Sequence, residues 1–190
     1  NPCLEIIDIK AVCDLAHNVG ALVIIDNVFA TPILQRPLEL GADIVMYSTT
    51  KHIDGQGRTM GGAILTNDNN FFENALIPFL RHTGPSLSPF NAWVMLKGLE
   101  TIELRVAKLS ENARELSVFL SEHKKVLKVF YPGLKSHPHH DLAMRQMMGG
   151  GTIVSFEIAG GKKGAFKFLN GLDLIDISNN LGDSKSLITH

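Results

Sequence analysis

Residues 21–51 read ALVIIDNVFATPILQRPLELGADIVMYSTTK, and this stretch decides the fold class. Residues 21–25 are apolar without alternation, which predicts a strand buried on both faces. Residues 32–40 predict a short helix that ends at Gly41, and residues 43–47 predict a second strand. A strand, a helix and a strand joined by short connections form a right-handed parallel crossover. The stretch therefore predicts an open α/β sheet.

The flanking sequence extends this unit and then changes character. Asp8 is a helix cap, Gly20 ends that helix, and residues 62–66 predict a third strand. Ser88-Pro89 predicts the start of a long helix, residues 90–120, which Gly98 bends or breaks. Further along the chain we predict strands at 126–131, 152–158 and 174–177 and helices at 141–148 and 161–169. We predict two partial domains: residues 1–110 belong to a large domain with a mostly parallel sheet, and residues 111–190 to a C-terminal α+β domain.

Composition excludes several classes of protein. The 190 residues carry 18 Lys+Arg and 19 Asp+Glu, which argues against a nucleic-acid binder that works through a basic face. The aliphatic run at residues 21–25 is too short to predict a membrane span. Two cysteines cannot form a disulfide framework, so we expect a reducing, cytoplasmic compartment. The chain begins at Asn1 without a Met, and we expect further sequence at both ends.

The residues that could take part in catalysis or ligand binding follow the ends of the predicted strands. Asp26 follows the first strand and Lys51 follows the second, so both lie at the carboxyl edge, where open α/β sheets bind ligands. Ser48, Thr49 and Thr50 supply hydroxyls that suit a phosphate group. Lysine forms a Schiff base with an aldehyde, and a carboxylate keeps a pyridine nitrogen protonated. Aldehyde, phosphate and ring nitrogen together describe pyridoxal 5'-phosphate (PLP).

Simpler interpretations of the same residues stay open. Asp26 can cap a turn, and Lys51 can be a solvated loop lysine. The glycines at 55, 57, 61 and 62 do not have the strand and helix context of a dinucleotide loop. His137, His139, His140 and Asp141 surround Pro138, where a role at the start of a helix is simpler than metal binding, so we predict no metal site.

Longer motifs resemble a known family. Residues 26–32 (DNVFATP), 41–45 (GADIV), 48–51 (STTK), 131–134 (YPGL), 155–157 (SFE) and 180–182 (NLG) closely resemble the Cys/Met-metabolism family of PLP enzymes. The likeness covers essentially the whole chain and implies a fold-type I, aspartate-aminotransferase-like PLP transferase. It implies that Lys51 is the Schiff-base lysine, that Asp26 pairs with the pyridine nitrogen, and that Ser48 and Thr50 bind phosphate. It also implies that Asn1 lies near the cofactor's phenolic oxygen. Asn180 stands where many relatives have a serine near the substrate carboxylate.

Two segments indicate a reaction. Residues 51–58 (KHIDGQGR) and 178–187 (SNNLGDSKSL) look most like the O-succinylhomoserine sulfhydrylase branch of that family. The resemblance implies γ-replacement, in which O-succinylhomoserine and sulfide give homocysteine and succinate in methionine biosynthesis. It also implies a homotetramer built as a dimer of dimers. The alternatives are a cystathionine γ-synthase, a methionine or cystathionine γ-lyase, and an inactive fragment or assembly subunit.

Overall fold

The computed structural model describes residues 1–190. Helices alternate along the chain with strands that form three small sheets. The α-helices are α1 (Ile9–His17), α2 (Thr31–Leu34), α3 (Asn69–Phe71), α4 (Ile77–Thr83), α5 (Pro89–Leu99), α6 (Ile102–Glu122), α7 (His140–Gln146) and α8 (Gly161–Leu169). The strands are β1 (Ile24–Asp26), β2 (Ile44–Ser48), β3 (Gly62–Thr66), β4 (Val126–Phe130), β5 (Ser155–Ile158), β6 (Asp176–Ile177) and β7 (Leu187–Ile188). None of the helices has both the length and the apolar character that a membrane crossing requires.

The first sheet has the order β1-β2-β3. β1 and β2 are parallel, with Asp26 opposite Met46, so the predicted parallel crossover is confirmed. β3 pairs with β2 in the antiparallel direction. The prediction for residues 21–25 was wrong in its bounds and in its burial, because β1 begins at Ile24 and that side chain is 58% exposed. Only one face of the sheet packs on the core; Val45 and Tyr47 lie on that face and are buried.

Two predicted helices are interrupted. The helix predicted at residues 32–40 divides into α2 and a 3-10 turn (Pro37–Leu40), because Gln35 is extended and Pro37 starts a new turn. Gly41 ends this segment in the left-handed conformation, with φ at 105°, as predicted. The helix predicted at residues 90–120 divides into α5 and α6 at residues 100–101, two residues after Gly98.

In the second half the predicted strands and helices are present, and most of them are shorter than predicted. β4 and β5 form an antiparallel pair, α8 has the predicted bounds, and β6 pairs with β7 in parallel. The sequence interpretation missed β7 and the helical segment at residues 69–83, which includes a π-helical turn (Phe72–Leu76). The division between residues 110 and 111 stays a prediction, and α6 spans it.

The core lies where α1, β2 and α6 meet. Cys13 from α1, Val45 from β2, and Ile102 and Val106 from α6 are all buried in one cluster. Because α6 packs on the sheet, the residues that follow β2 lie directly against its first turn. The core therefore places the chain around Lys51 between the sheet and α6.

Candidate active site

The ends of β1 and β2 bring Asp26 and Ser48 to one edge of the sheet. Asp26 is the last residue of β1 and lies opposite Met46, two residues before Ser48 at the end of β2. Side chains two residues apart on a strand lie on the same face. With strands about 4.8 Å apart and a rise of about 3.3 Å per residue, the Cα atoms of Asp26 and Ser48 are about 8 Å apart. A carboxylate and a hydroxyl thus share one edge and one face.

Asp26 presents a carboxylate to solvent. The residue is exposed, and its Oδ1 accepts a hydrogen bond of 3.0 Å from the backbone N–H of Val28. This bond is the turn contact that the simpler interpretation of Asp26 predicts. Its Oδ2 has no partner in the protein. Asp26 therefore shapes the turn with one oxygen and keeps the other available to a ligand.

Lys51 lies at the same edge, on a tight turn after β2. Its backbone N–H donates to the carbonyl oxygen of Ser48 at 3.2 Å. Its half-buried side chain donates from Nζ to Oδ1 of Asn180 at 2.9 Å. The partner is 129 residues away in the sequence, so the C-terminal part of the chain meets the amine directly. This contact removes Lys51 from the class of freely solvated loop lysines.

The segment after Lys51 is buried and firmly held. Arg105 of α6 donates to the carbonyl oxygen of His52 at 2.6 Å and to that of Ile53 at 3.2 Å. Asp54 is 1% exposed, and its carboxylate accepts from the backbone N–H of Arg58 at 2.6 Å and from its Nε at 2.9 Å. Burial lowers the pKa of the Arg105 guanidinium, and the charge of Arg58 lowers it further. These bonds fix the backbone that carries the Lys51 amine.

His52, next to the lysine, is almost completely buried. Its Nε2 hydrogen-bonds with Thr152 Oγ1 at 2.8 Å, while its Nδ1 has no partner. Burial, assisted by the positive charge of Arg105, lowers the pKa of His52 from 6.5 to about 4. The imidazole is therefore neutral near pH 7.

The three hydroxyls of residues 48–50, at the end of β2 and before Lys51, have different surroundings. Ser48 Oγ makes no hydrogen bond, and Ser48 lines a cavity of about 10 Å³, room for about one water molecule. Thr50 Oγ1 accepts from the backbone N–H of Gly61 at 3.1 Å. Thr49 Oγ1 is buried and points to the sulfur of Met95 at 3.0 Å. Of the two predicted phosphate ligands, Ser48 has a free hydroxyl, whereas the hydroxyl of Thr50 already accepts a hydrogen bond within the protein.

Asn1 does not join this group of residues through hydrogen bonds. Its side chain closes a local turn, in which Nδ2 donates to the carbonyl oxygen of Glu5 at 2.8 Å and Oδ1 accepts from the N–H of Glu5 at 2.9 Å. Its predicted contact with a cofactor stays a prediction. By contrast, Asn180 lies at the Lys51 amine, although the sequence placed it near a substrate carboxylate.

The histidines around Pro138 contact the backbone. His137 Nε2 lies 3.2 Å from the carbonyl oxygen of Cys3, and His139 Nδ1 accepts from the N–H of Ile6 at 3.1 Å. His140 Nδ1 lies 2.9 Å from the carbonyl oxygen of Pro132. No group of three or more His, Cys, Asp or Glu side chains is placed to hold a metal ion. His137 and His139 thus connect the N-terminal segment to the start of α7, and His140 connects that helix to the turn at Pro132.

Sequence reasoning named Asp26, Ser48, Lys51 and Asn180 as candidates but did not single out His52 or Arg105. His52 and Arg105 acquire their roles from partners 100 and 53 residues away, and local patterns carry no signal for such pairs. The pair Asp54 and Arg58 was accessible to sequence reasoning, because acid and base at i and i+4 around two glycines indicate a closed loop.

The residues at this edge fit PLP. The Lys51 amine can react with the aldehyde of PLP, the free oxygen of Asp26 can accept from its pyridine nitrogen, and the unpaired hydroxyl of Ser48 can donate to its phosphate. Such a set at the carboxyl ends of an α/β sheet is typical of fold-type I PLP enzymes, and the chain has that fold.

Comparison with known proteins agrees with this class. The family model described as "Cys/Met metabolism PLP-dependent enzyme" matches residues 1–190, and the chain belongs to that family. It is 54% identical to O-succinylhomoserine sulfhydrylase from Mycobacterium tuberculosis and 47% identical to the one from Pseudomonas aeruginosa. These alignments cover 100% of the chain and 48% and 47% of the relatives, so the chain spans about half their length.

Two further similarities bear on the reaction. An L-methionine gamma-lyase from Fusobacterium nucleatum is 42% identical, with 100% of the chain and 48% of the relative covered. The crystal structure of cystathionine gamma synthase from Xanthomonas oryzae pv. oryzae in complex with cystathionine superimposes with a TM-score of 0.96 at 40% identity. It covers 100% of the chain and 49% of that structure. The family therefore includes proteins named for replacement and for elimination.

Proposed function

We propose that the chain serves a PLP-dependent γ-replacement, in which O-succinylhomoserine and sulfide give homocysteine and succinate. The observation that carries this proposal is the Lys51 amine, held by Asn180 at the sheet edge where Asp26 offers a free carboxylate oxygen. The relatives at 54% and 47% identity, both named O-succinylhomoserine sulfhydrylase, support the choice of substrate. In this reaction the bond between Cγ and the ester oxygen breaks, succinate leaves, and sulfur bonds to Cγ.

The residues of the chain divide the work of proton transfer and binding. When bound, PLP supplies an electron sink for the carbanion that forms when Cα loses a proton. The Lys51 amine removes that proton, and the Asp26 carboxylate keeps a ring nitrogen protonated. Asn180 holds Lys51 through Oδ1, so the amine starts from a defined position. Ser48 and Thr50 would hold the phosphate of PLP, Ser48 through its free hydroxyl and Thr50 through the hydroxyl that accepts from the N–H of Gly61.

The remaining assignments belong to the same proposal. If PLP is bound, Asn1 would lie near its phenolic oxygen, and Asn180 would lie near the substrate carboxylate. Residues 1–110 belong to the PLP-binding large domain and residues 111–190 to a C-terminal domain. The protein acts in the cytoplasm in methionine biosynthesis, as a homotetramer assembled from two dimers, on an amino-acid substrate and sulfide.

Covalent labelling tests the cofactor part of the proposal. PLP added to the chain and then reduced with borohydride should attach to Lys51, and peptide mass spectrometry identifies the modified residue. Lys51→Ala should lose both this adduct and all turnover, because no other amine occupies that position. Lys97→Ala is the control, since Lys97 is an exposed lysine paired with Glu100. An adduct spread evenly over exposed lysines would support the alternative of an inactive fragment or assembly subunit.

Product analysis separates the reactions of the relatives. With O-succinylhomoserine and sulfide we expect homocysteine and succinate as the main products. Cystathionine formed preferentially from cysteine would favour a cystathionine γ-synthase, which the similarity to the solved Xanthomonas structure supports as an alternative. Release of a 2-oxo acid and ammonia without an added thiol would favour a γ-lyase, an alternative that the Fusobacterium relative supports.

A further inference from the structure

The ring of His52 lies between two distant parts of the chain. It is 2% exposed, and its Nε2 hydrogen-bonds with Thr152 Oγ1 at 2.8 Å. On its other side lies Gly182, where an added Cβ would be 2.6 Å from the ring Cγ and 2.6 Å from the backbone nitrogen of His52. Gly182 also has a φ of 73°, so its turn suits glycine for both reasons. The imidazole is the surface on which the Gly182 turn packs.

The turn at Gly182 belongs to a segment that follows the Lys51 loop closely. Asn180 Oδ1 accepts from Lys51 Nζ at 2.9 Å, and the N–H of Ser184 donates to the carbonyl oxygen of Gly55 at 2.8 Å. The His52–Gly182 contact lies between these two bonds along the chain. A hydrogen bond weakens steeply once donor and acceptor separate beyond about 3.5 Å. A shift of the Gly182 turn by about an ångström therefore removes the partner of the lysine amine.

Stability alone does not explain an imidazole at this position. Its Nδ1 is buried without a partner, and such a group costs about 1–3 kcal/mol. A phenyl ring has a similar shape and no ring nitrogen to leave unsatisfied, although Thr152 Oγ1 would lose its partner. What the imidazole adds is the Nε2 bond to Thr152, which fixes the plane of the ring. The orientation of the ring in turn sets the distance between the Gly182 turn and the Lys51 loop.

We propose that His52 is a positioning residue: fixed by Thr152, its ring places the Gly182 turn so that Asn180 holds the Lys51 amine. This inference rests on the proposed function only in taking Lys51 as the reactive amine. His52 acts on Lys51 only through Asn180, because its ring contacts the loop of Asn180 and makes no hydrogen bond to Lys51.

Acylation of lysines in the full chain, resolved by mass spectrometry, measures the effect on Lys51. The rate at Lys51 relative to the exposed Lys10 cancels changes in reagent concentration, and measurement under conditions where every variant is fully folded excludes acylation through the unfolded state. Losing one hydrogen bond is worth about 0.5–1.5 kcal/mol, so His52→Phe and Thr152→Val should each change this ratio by about two- to tenfold. In an Asn180→Ala background the His52→Phe effect should vanish. His82→Phe, an exposed histidine on α4, is the matched control.

Hydrogen exchange of residues 178–185 supplies a second measurement, and both substitutions should accelerate it by a similar factor. Thr152→Val carries the test if His52→Phe does not fold. The inference would be overturned if a folded variant kept both the Lys51/Lys10 acylation ratio and the hydrogen exchange of residues 178–185 unchanged. It would also be overturned if His52→Phe changed the acylation ratio as much in the Asn180→Ala background as in the unsubstituted chain. Adding PLP separates the two proposals. If PLP does not protect Lys51 of the unsubstituted chain from acylation, the proposed function is contradicted. The acylation ratios measured without PLP test only the role of His52.

Discussion

At the scale of single residues, the two carboxylate oxygens of Asp26 have different surroundings. Its Oδ1 accepts from the N–H of Val28, and its Oδ2 is free. An asparagine in its place keeps the turn through its own Oδ1 but has no negative charge. The position thus allows the contribution of charge to be separated from that of the fold.

We expect Asp26→Asn to weaken PLP binding while the chain remains folded. A hydrogen bond to a charged group is worth about 1.5–3 kcal/mol, so the affinity should fall about ten- to hundredfold. Titration of PLP followed by its visible absorbance measures the change. Asp68→Asn is the control, since Asp68 is also an exposed aspartate that accepts from a backbone N–H, that of Phe71. Unchanged PLP affinity in Asp26→Asn would remove Asp26 from the site.

Asn180 gives Lys51 a neutral acceptor. Its amide oxygen orients the amine and carries no negative charge. Asn180→Asp places a carboxylate about 3 Å from Nζ and stabilises the ammonium, which cannot remove a proton. We expect turnover at pH 7 to fall at least about tenfold, from an added interaction of about 1.5 kcal/mol or more. Initial rates of succinate release measure it, with the exposed Asn179→Asp as control; equal rates in the two variants would contradict this role.

At the scale of elements, α5 and the Lys51 loop meet at Gly98. A Cβ on Gly98 would overlap the carbonyl oxygen of Ile53, which also accepts from Arg105. Both groups in this contact are backbone, so neither can turn away as a side chain could. The close approach of α5 therefore depends on glycine at this one position.

Gly98→Ala should force α5 away from the loop that carries the lysine. Overpacking of this kind costs about 1–3 kcal/mol, and a backbone contact places the expected loss of unfolding free energy near the upper end. Urea denaturation measures the loss. In Gly171→Ala the added Cβ would lie at an ordinary 3.5 Å from the carbonyl oxygen of Phe168, so we expect a much smaller change. Equal stabilities for the two variants would show that α5 can shift freely.

The elements that local sequence predicts well are those whose signals lie within them. α8 and β3 have the predicted bounds, and the cap at Ser88 starts α5 as predicted. The helical segment at residues 69–83 was missed because its polar start and π-helical turn break the periodic pattern. The edge with Asp26 and Lys51 followed from topology, since parallel strand ends meet. The contacts of His52 are long-range and could not be predicted.

At the scale of the whole molecule, the C-terminal half reaches the candidate site through polar contacts. Thr152 meets His52 and Asn180 meets Lys51. On the other side, Gln146 of α7 donates to Oε1 of Gln35 at 3.0 Å and accepts from the backbone N–H of Ile9. Since several of these groups are buried, a change in their charge affects the stability of the whole chain.

Mild acid should destabilise the chain through His52. Its pKa is about 4 in the folded protein, against 6.5 when unfolded, so the unfolded state binds more protons between these values. Stability is therefore complete above pH 6.5 and falls as the pH drops towards 4, by about 3 kcal/mol at about 1.4 kcal/mol per pH unit. Burial lowers the pKa of His137 as well and adds a loss of the same sign.

Urea denaturation at pH 7, 5.5 and 4.5 measures this slope. Asp43 contributes little in that range: its hydrogen bond with His17 lowers its pKa from 3.8, so its stabilisation is present above that value and is lost only at lower pH. His52→Phe should therefore flatten most of the slope and leave the part due to His137. His82→Phe should keep the full slope, because His82 is exposed. If His52→Phe loses stability with acid as steeply as the unsubstituted chain, a buried neutral imidazole does not link the two halves.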